Sequence, residues 1–216
     1  EDSNVFNIAI NGNFDDCQNL VKAMFNDEKF SKTINMSGVN SINWARIIAQ
    51  AVYYFYAYFK VGNGQPISFS VPTGNFGDIY AGYLAKKLGL PIDKLIVATN
   101  KNDILHRAIS GGDYTQKKVE ETNTPSMDIQ IASNFERLLY DVKDCNSEIT
   151  KDVMSKIKNN TYKIDKSDLD EIKKNFTSEM LDENETIEMI KTINDQYQIV
   201  VDPHTAVGIG VARKLG

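Results

Sequence analysis

Two cysteines and two histidines are all that this 216-residue chain contains. Cys17 and Cys145 match no metal-ligand spacing and give no disulfide framework, which points to a reducing compartment. His106 and His204 leave little room for a His-rich metal site. Long apolar runs are missing too. The densest, residues 47–59, is too short to span a bilayer and contains Gln50 and four tyrosines. No charged-then-apolar leader follows Glu1, so no signal peptide is visible and a soluble, cytoplasmic protein is expected. Positive charge is not in excess either. The net charge is −5, and residues 141–195 alone hold 14 acidic residues against nine lysines. The acidity is therefore local, and no basic face is offered to nucleic acid. Five prolines and 13 glycines exclude collagen-like and low-complexity chains. What is present, 42% hydrophobic and 25% charged residues, is ordinary globular composition, enough for one domain with room for a small insertion.

Periodicity and breakers divide the chain into segments. Residues 5–10 (VFNIAI) read as a short strand broken by Gly12 and Asn13. Asp15 and Asp16 then stand where a helix N-terminus favours anions, ahead of Leu20, Val21, Ala23, Met24 and Phe25. Residues 35–40, with Gly38, form a loop. Residues 41–60 are apolar on nearly every face, which predicts a buried helix. After Pro66 come a strand at 67–71 (ISFSV), the turn PTGNFG at 72–77, a helix at 78–88 stopped by Gly89, and a strand at 94–99 (KLIVAT). Strand, glycine-bearing turn, helix and strand make a βαβ unit, so the fold class is α/β with a parallel-type sheet. Short helices follow at 104–109, broken by Gly111 and Gly112, and at 135–142. From 143 to 195 the pattern is helical and solvated, as in 168–176 and 185–193. A returning strand is read at 197–201 (YQIVV), then DPHTAVG and a final helix to Leu215. The expected organisation is an α/β portion at 1–140, an acidic helical insertion at 141–196, and a returning strand and helix at 197–216.

Three segments carry chemistry. The turn at 72–77 exposes backbone N–H groups at a helix N-terminus, where the helix dipole adds positive character, so it can hold a phosphate. Gly74 and Gly77 would let the backbone approach a ligand. Neither the P-loop lysine nor the dinucleotide G-x-G-x-x-G spacing is present, and a plain βα turn would show the same glycines. In NSINWAR, residues 40–46, Asn40 or Ser41 would cap the long helix. Asn43 and Arg46 share a face, and Arg46 is a lone cation in an apolar stretch, suited to a structural carboxylate or to an anionic ligand. In DPHTAVG, residues 202–208, Thr205 can hydrogen-bond a ring nitrogen. His204 can serve as a general base or as a hydrogen-bonded strand-end residue. No G-x-S-x-G elbow supports a Ser/His/Asp triad.

Read together, GNFDDCQNLVKAMF (12–25), VNSINWARIIAQ (39–50), SVPTGNFGDIYAGYLAKKLGLP (70–91), ATNKNDILHR (98–107), SMDIQIASNFERLLYD (126–141) and DPHTAVGIGVARKLG (202–216) resemble the long-chain threonine synthase family, fold type II enzymes dependent on pyridoxal 5'-phosphate (PLP). DENETIEMIKTINDQY (182–197), within the acidic segment, resembles it as well. The resemblance implies part of the large PLP domain and the conversion of O-phospho-L-homoserine and water to L-threonine and phosphate. It implies that Gly74, Asn75, Phe76 and Gly77 cradle the cofactor phosphate and that Thr205 faces the pyridine nitrogen. Ser41, Asn43 and Arg46 would contact the substrate, Arg46 at its phosphate. The family's cofactor lysine lies in an Asn-His-Thr-Leu-Ala-Phe-Lys-Asp type motif that occurs nowhere in these residues, so no catalytic residue is assigned. The expectation is an internal fragment, partnered by a missing N-terminal part and inactive alone. A related phospho-lyase, a natural half-chain or a non-catalytic phosphate-binding module are the alternatives.

Overall fold

A computed structural model describes residues 2–12, 14–38, 40, 42–160 and 162–216. The chain divides into two compact units, Glu1–Gly38 and Val39–Gly216. The first holds α1 (Phe14–Asn26) and α2 (Glu28–Thr33). Asp27 caps α2 by accepting from the Phe30 amide at 3.0 Å. The strand expected at 5–10 does not form. A strand needs a ladder partner, and Val5, Phe6 and Ile8 are each more than two-thirds exposed. Asn13, expected to help break it, lies outside the described residues.

The second unit runs α3 (Trp44–Val61), β1 (Ile67–Pro72), α4 (Gly77–Lys87), β2 (Ile92–Thr99), α5 (Ile104–Gly111), a 3₁₀ turn at Pro125–Met127, α6 (Phe135–Val142), α7 (Ser147–Lys158), α8 (Lys166–Asn175), β3 (Phe176–Met180), α9 (Glu183–Tyr197) and α10 (Pro203–Leu215). The β1–α4–β2 unit is as expected. α4 ends at Lys87, and Gly89 follows in the left-handed region (φ +99°), which a residue with a Cβ rarely adopts.

Among the described residues the three strands are parallel, in the order β1-β2-β3. Strand alternation splits the core into two clusters. Leu95 and Val97 of β2 join a large cluster with Ile47, Tyr54, Ile79, Phe135 and Phe176. Ala98, with Ile96 packed beside it, joins a smaller one with Met127, Leu181, Val207 and Val211. Helices thus cover both faces of the sheet, as a parallel sheet requires. α10 lies against β1 with Gly208 on the Pro72 ring, and the Ser70 hydroxyl donates to the Gly208 carbonyl at 2.6 Å.

Two further elements, both in the second unit, differ from the reading of the sequence. The third strand is 176–180, inside the charged segment 141–196, and not 197–201. The apolar Phe176 is buried on β2, whereas Tyr197 ends α9, Gln198 turns left-handed (φ 55°), and Val200 is 77% exposed. Only one side of α3 is buried, by Ile47, Ala51, Tyr54 and Tyr58, while Ile48, Val52, Tyr56 and Phe59 are exposed.

Candidate functional site

The turn between β1 and α4 is fixed from several directions. The Thr73 amide donates to the Ala98 carbonyl at 2.8 Å, and its hydroxyl donates to the Val71 carbonyl at 2.6 Å. The Asn75 carbonyl accepts from the Asn134 amide at 3.0 Å and from the Asn134 side chain at 3.2 Å. The Ser133 hydroxyl donates to Asn75 Oδ1 at 3.3 Å. Phe76, not a glycine, takes the left-handed conformation (φ 64°, ψ 7°). Its fully buried ring holds it there, edge-on to Phe135 at 5.2 Å and tilted on Phe176 at 5.6 Å. Gly74 is required for a reason the sequence does not reveal. A Cβ there would stand 2.2 Å from the Ser126 carbonyl oxygen, so the close approach is to the protein's own 3₁₀ turn.

Phe76 is the N-cap of α4 and no side chain caps the helix. The first-turn N–H groups therefore lack both helical acceptors and a capping oxygen, which is the condition for an anion site. Gly77 begins the helix and Asp78 follows. Burial pushes the Asp78 carboxyl above the usual carboxylate range, with the Tyr54 hydroxyl pulling the other way. The Tyr54 hydroxyl donates to the Asp78 backbone carbonyl at 2.9 Å.

At the start of α3 the cap is Asn43, which accepts from the Ala45 amide at 2.9 Å, and not Asn40 or Ser41. Asn40 Oδ1 instead accepts from the Ile42 amide at 3.2 Å. Ser41 lies outside the described residues. Arg46 is exposed on the first turn of α3. A second arginine, missed in the sequence, organises this corner. Arg137 of α6 donates from Nη2 to the Ile42 carbonyl and from Nε to Asn134 Oδ1, both at 2.9 Å, and its guanidinium lies 5.2 Å over the Trp44 ring. The signal was present: Asn134 and Arg137 sit three apart at a helix start, within the segment SNFER.

Thr205 and His204 lie in the first turn of α10, not at a strand end. Asp202 caps the helix, accepting from the amides of His204 (2.9 Å) and Thr205 (3.2 Å) and from the Thr205 hydroxyl. The Thr205 hydroxyl chiefly holds the Asp202 carboxyl below its ordinary range, against a small burial cost and helped by both amides and by His204. His204 Nδ1 is 3.4 Å from Asp202 Oδ1. Thr205 lines a cleft of 460 Å³ with Ser70, Pro72 and Gly208. The structure thus brings Thr205 to the end of β1 that leads into residues 74–77, and links Ile42 and Trp44 to Asn75 through Arg137 and Asn134.

A parallel sheet covered on both faces, with an uncapped helix N-terminus and a helix-borne threonine at the end of one strand, is an open α/β enzyme-type arrangement, which takes its ligand at the carboxyl ends of its strands. No family model matches the sequence. The sequence is 47% identical over 213 residues to a curated threonine synthase of Pseudomonas aeruginosa, covering 98% of this chain and 45% of that protein. It is 31% identical to human threonine synthase-like 1 over 96% of the chain. The crystal structure of PLP-bound threonine synthase from Brucella melitensis superposes with a TM-score of 0.88 at 48% identity, covering 96% of this chain and 45% of that one. In sequence and in fold the chain is similar to part of these threonine synthases, and it spans about 45% of the length of the Pseudomonas and Brucella proteins and 30% of that of the human one.

Proposed function

We propose that this chain forms the phosphate cradle and substrate wall of a PLP-dependent threonine synthase, a carbon–oxygen lyase acting on O-phospho-L-homoserine. The observation that carries the reading is the uncapped N-terminus of α4 behind the turn at 74–77. Its first-turn amides suit a phosphoester dianion, the Phe76 side chain offers them no capping oxygen, and burial of the Asp78 carboxyl in the same turn disfavours its charged form. Gly74, Asn75, Phe76 and Gly77 would hold the cofactor phosphate. Thr205 would face the pyridine nitrogen, a role in which its hydroxyl turns from Asp202 toward the ring. When bound, PLP supplies an electron sink for carbanions beside the amino-bearing carbon. Asn43 and Ser41 would orient the substrate, and Arg46 would bind its phosphate as a planar, permanently charged donor.

The cofactor lysine would come from polypeptide outside these residues, so the isolated chain would not turn over O-phospho-L-homoserine. The two free cysteines, Cys17 and Cys145, fit a cytoplasmic setting. Among the described residues no helix is long and apolar enough to cross a membrane. The test is to incubate the chain with PLP, reduce with borohydride and map lysine adducts by mass spectrometry. No stoichiometric adduct is expected. A single fully occupied lysine would show that this chain carries its own cofactor lysine. The 31% identity to human threonine synthase-like 1 supports a second reading, action on a different γ-phosphorylated substrate. Exchanging Arg46 and Asn43 and comparing phosphoester affinities in a full-length enzyme would separate the two.

A further inference from the structure

We infer that Arg137 is a positioning residue that couples the phosphate-holding turn to the substrate segment, so that occupancy of one is felt at the other. The inference rests on the function proposed above. Four groups form an unbroken chain. The Asn75 carbonyl, within the turn, accepts from the Asn134 amide (3.0 Å) and side chain (3.2 Å). Asn134 Oδ1 accepts from Arg137 Nε (2.9 Å). Arg137 Nη2 donates to the Ile42 carbonyl (2.9 Å), between Asn40 and the Asn43 cap. The same guanidinium covers Trp44, the residue after that cap.

Each link has few alternatives. Asn134 is fully buried, so its side chain cannot exchange these partners for water. The guanidinium fork fixes Nε and Nη2 in one plane, so the acceptors on Asn134 and Ile42 are held at a set separation. Asn75 cannot move its carbonyl without moving Phe76, whose ring is locked on Phe135, the first residue of the helix that carries Arg137. A phosphate settling on the amides of 74–77 therefore adjusts a turn whose other end is tied to residues 42–44. Trp44 is the chain's single tryptophan, and it reports the far end directly.

The experiment uses the intact chain with inorganic phosphate as probe, followed by ³¹P NMR, Trp44 fluorescence and amide hydrogen exchange. In the wild type, phosphate binding shifts the Trp44 emission. In R137M that response is lost, the unliganded Trp44 emission moves to longer wavelength, and exchange at residues 74–78 rises at least tenfold. N134A shifts Trp44 and loosens 74–78 in the same way, and the double variant does little more than either single one. Exchange in β2 and α5 stays as in the wild type, which shows that the variants are folded. Should R137M fail to fold, R137K decides. Its point charge keeps the cover over Trp44 but cannot make both hydrogen bonds, and exchange at 74–78 rises by a smaller factor.

Turn amides within twofold of the wild type in a folded R137M or R137K would overturn the coupling. A wild type that binds phosphate with no Trp44 shift overturns it as well, whereas a wild type that binds no phosphate, with R137M still loosening the turn, overturns the phosphate-holding role of 74–77 on which the inference rests.

Discussion

At the scale of single residues, position 74 shows how far side-chain identity and structural cause can separate. Glycine in PTGNFG invites a ligand-based explanation, yet its missing Cβ makes room for the Ser126 carbonyl. Backbone cannot retreat as a flexible side chain can. G74A is expected to lower stability by about 1–3 kcal/mol and to weaken phosphate binding, read by urea unfolding and by ³¹P titration. Unchanged stability would mean that the 3₁₀ turn yields freely. Asp202 shows a residue effect with a pH signature. Its carboxyl is held low by the Thr205 hydroxyl above all, so the folded-state pKa lies below the unfolded value. A depressed carboxylate contributes stability above the unfolded pKa, about 3.9, and that contribution is lost as pH falls through the folded value. D202A, which also removes the α10 cap, should cost about 1 kcal/mol at neutral pH. The difference between D202A and the wild type should shrink between about pH 4 and the acid limit. A constant difference in urea midpoints across that range would refute the assignment.

At the scale of elements, α3 and α4 meet through a similar close approach. A Cβ on Gly82 would stand 2.5 Å from the Tyr54 ring, and that ring is wedged on Phe69 at 4.9 Å. Tyr54 cannot swing away, because its hydroxyl is committed to the Asp78 carbonyl in the first turn of α4. Gly210 in α10 is the control. Its added Cβ meets a terminal methyl of Leu181, 2.6 Å away, so a side-chain tip rather than a hydrogen-bonded ring has to shift. G82A should therefore destabilise by about 1–3 kcal/mol and G210A by distinctly less, measured by thermal unfolding. Equal losses would show that the Tyr54 ring is as free to move as Leu181.

The helix and strand pattern was legible wherever local chemistry agreed with packing. The β1–α4–β2 unit, the Gly89 stop and the final helix are where periodicity and breakers put them. β3 was hidden because FTSEM is short, half polar and flanked by helical charge, and its strand state comes from pairing with β2. YQIVV had the β-branched content of a strand but found no neighbour to pair with.

At the scale of the whole molecule, both clusters of buried apolar side chains are built from residues after Gly38. Deleting residues 1–38 should therefore leave the thermal midpoint of the remainder within about 4 °C, the shift that ~1 kcal/mol produces at this size. A larger fall would show that the first unit stabilises the second. Charge is likewise distributed by region. Lys143 pairs with Asp168 and Asp165 within the acidic segment, and Lys214, from outside it, pairs with Glu185 and offsets part of its excess acidity.

The sequence by itself determined the α/β class, the parallel βαβ unit, the glycine-bearing turn within it and the resemblance to threonine synthase. Each of these rests on short-range signals: breakers, capping residues, strand propensity and motif order. Only the tertiary structure decided that Phe76 takes the left-handed position, that Gly74 faces Ser126, that β3 completes the sheet and that Arg137 joins residues 42–44 to Asn75. Those features depend on groups 50 to 100 positions apart meeting in a core, and no local pattern records which distant carbonyl or ring will stand opposite a given residue.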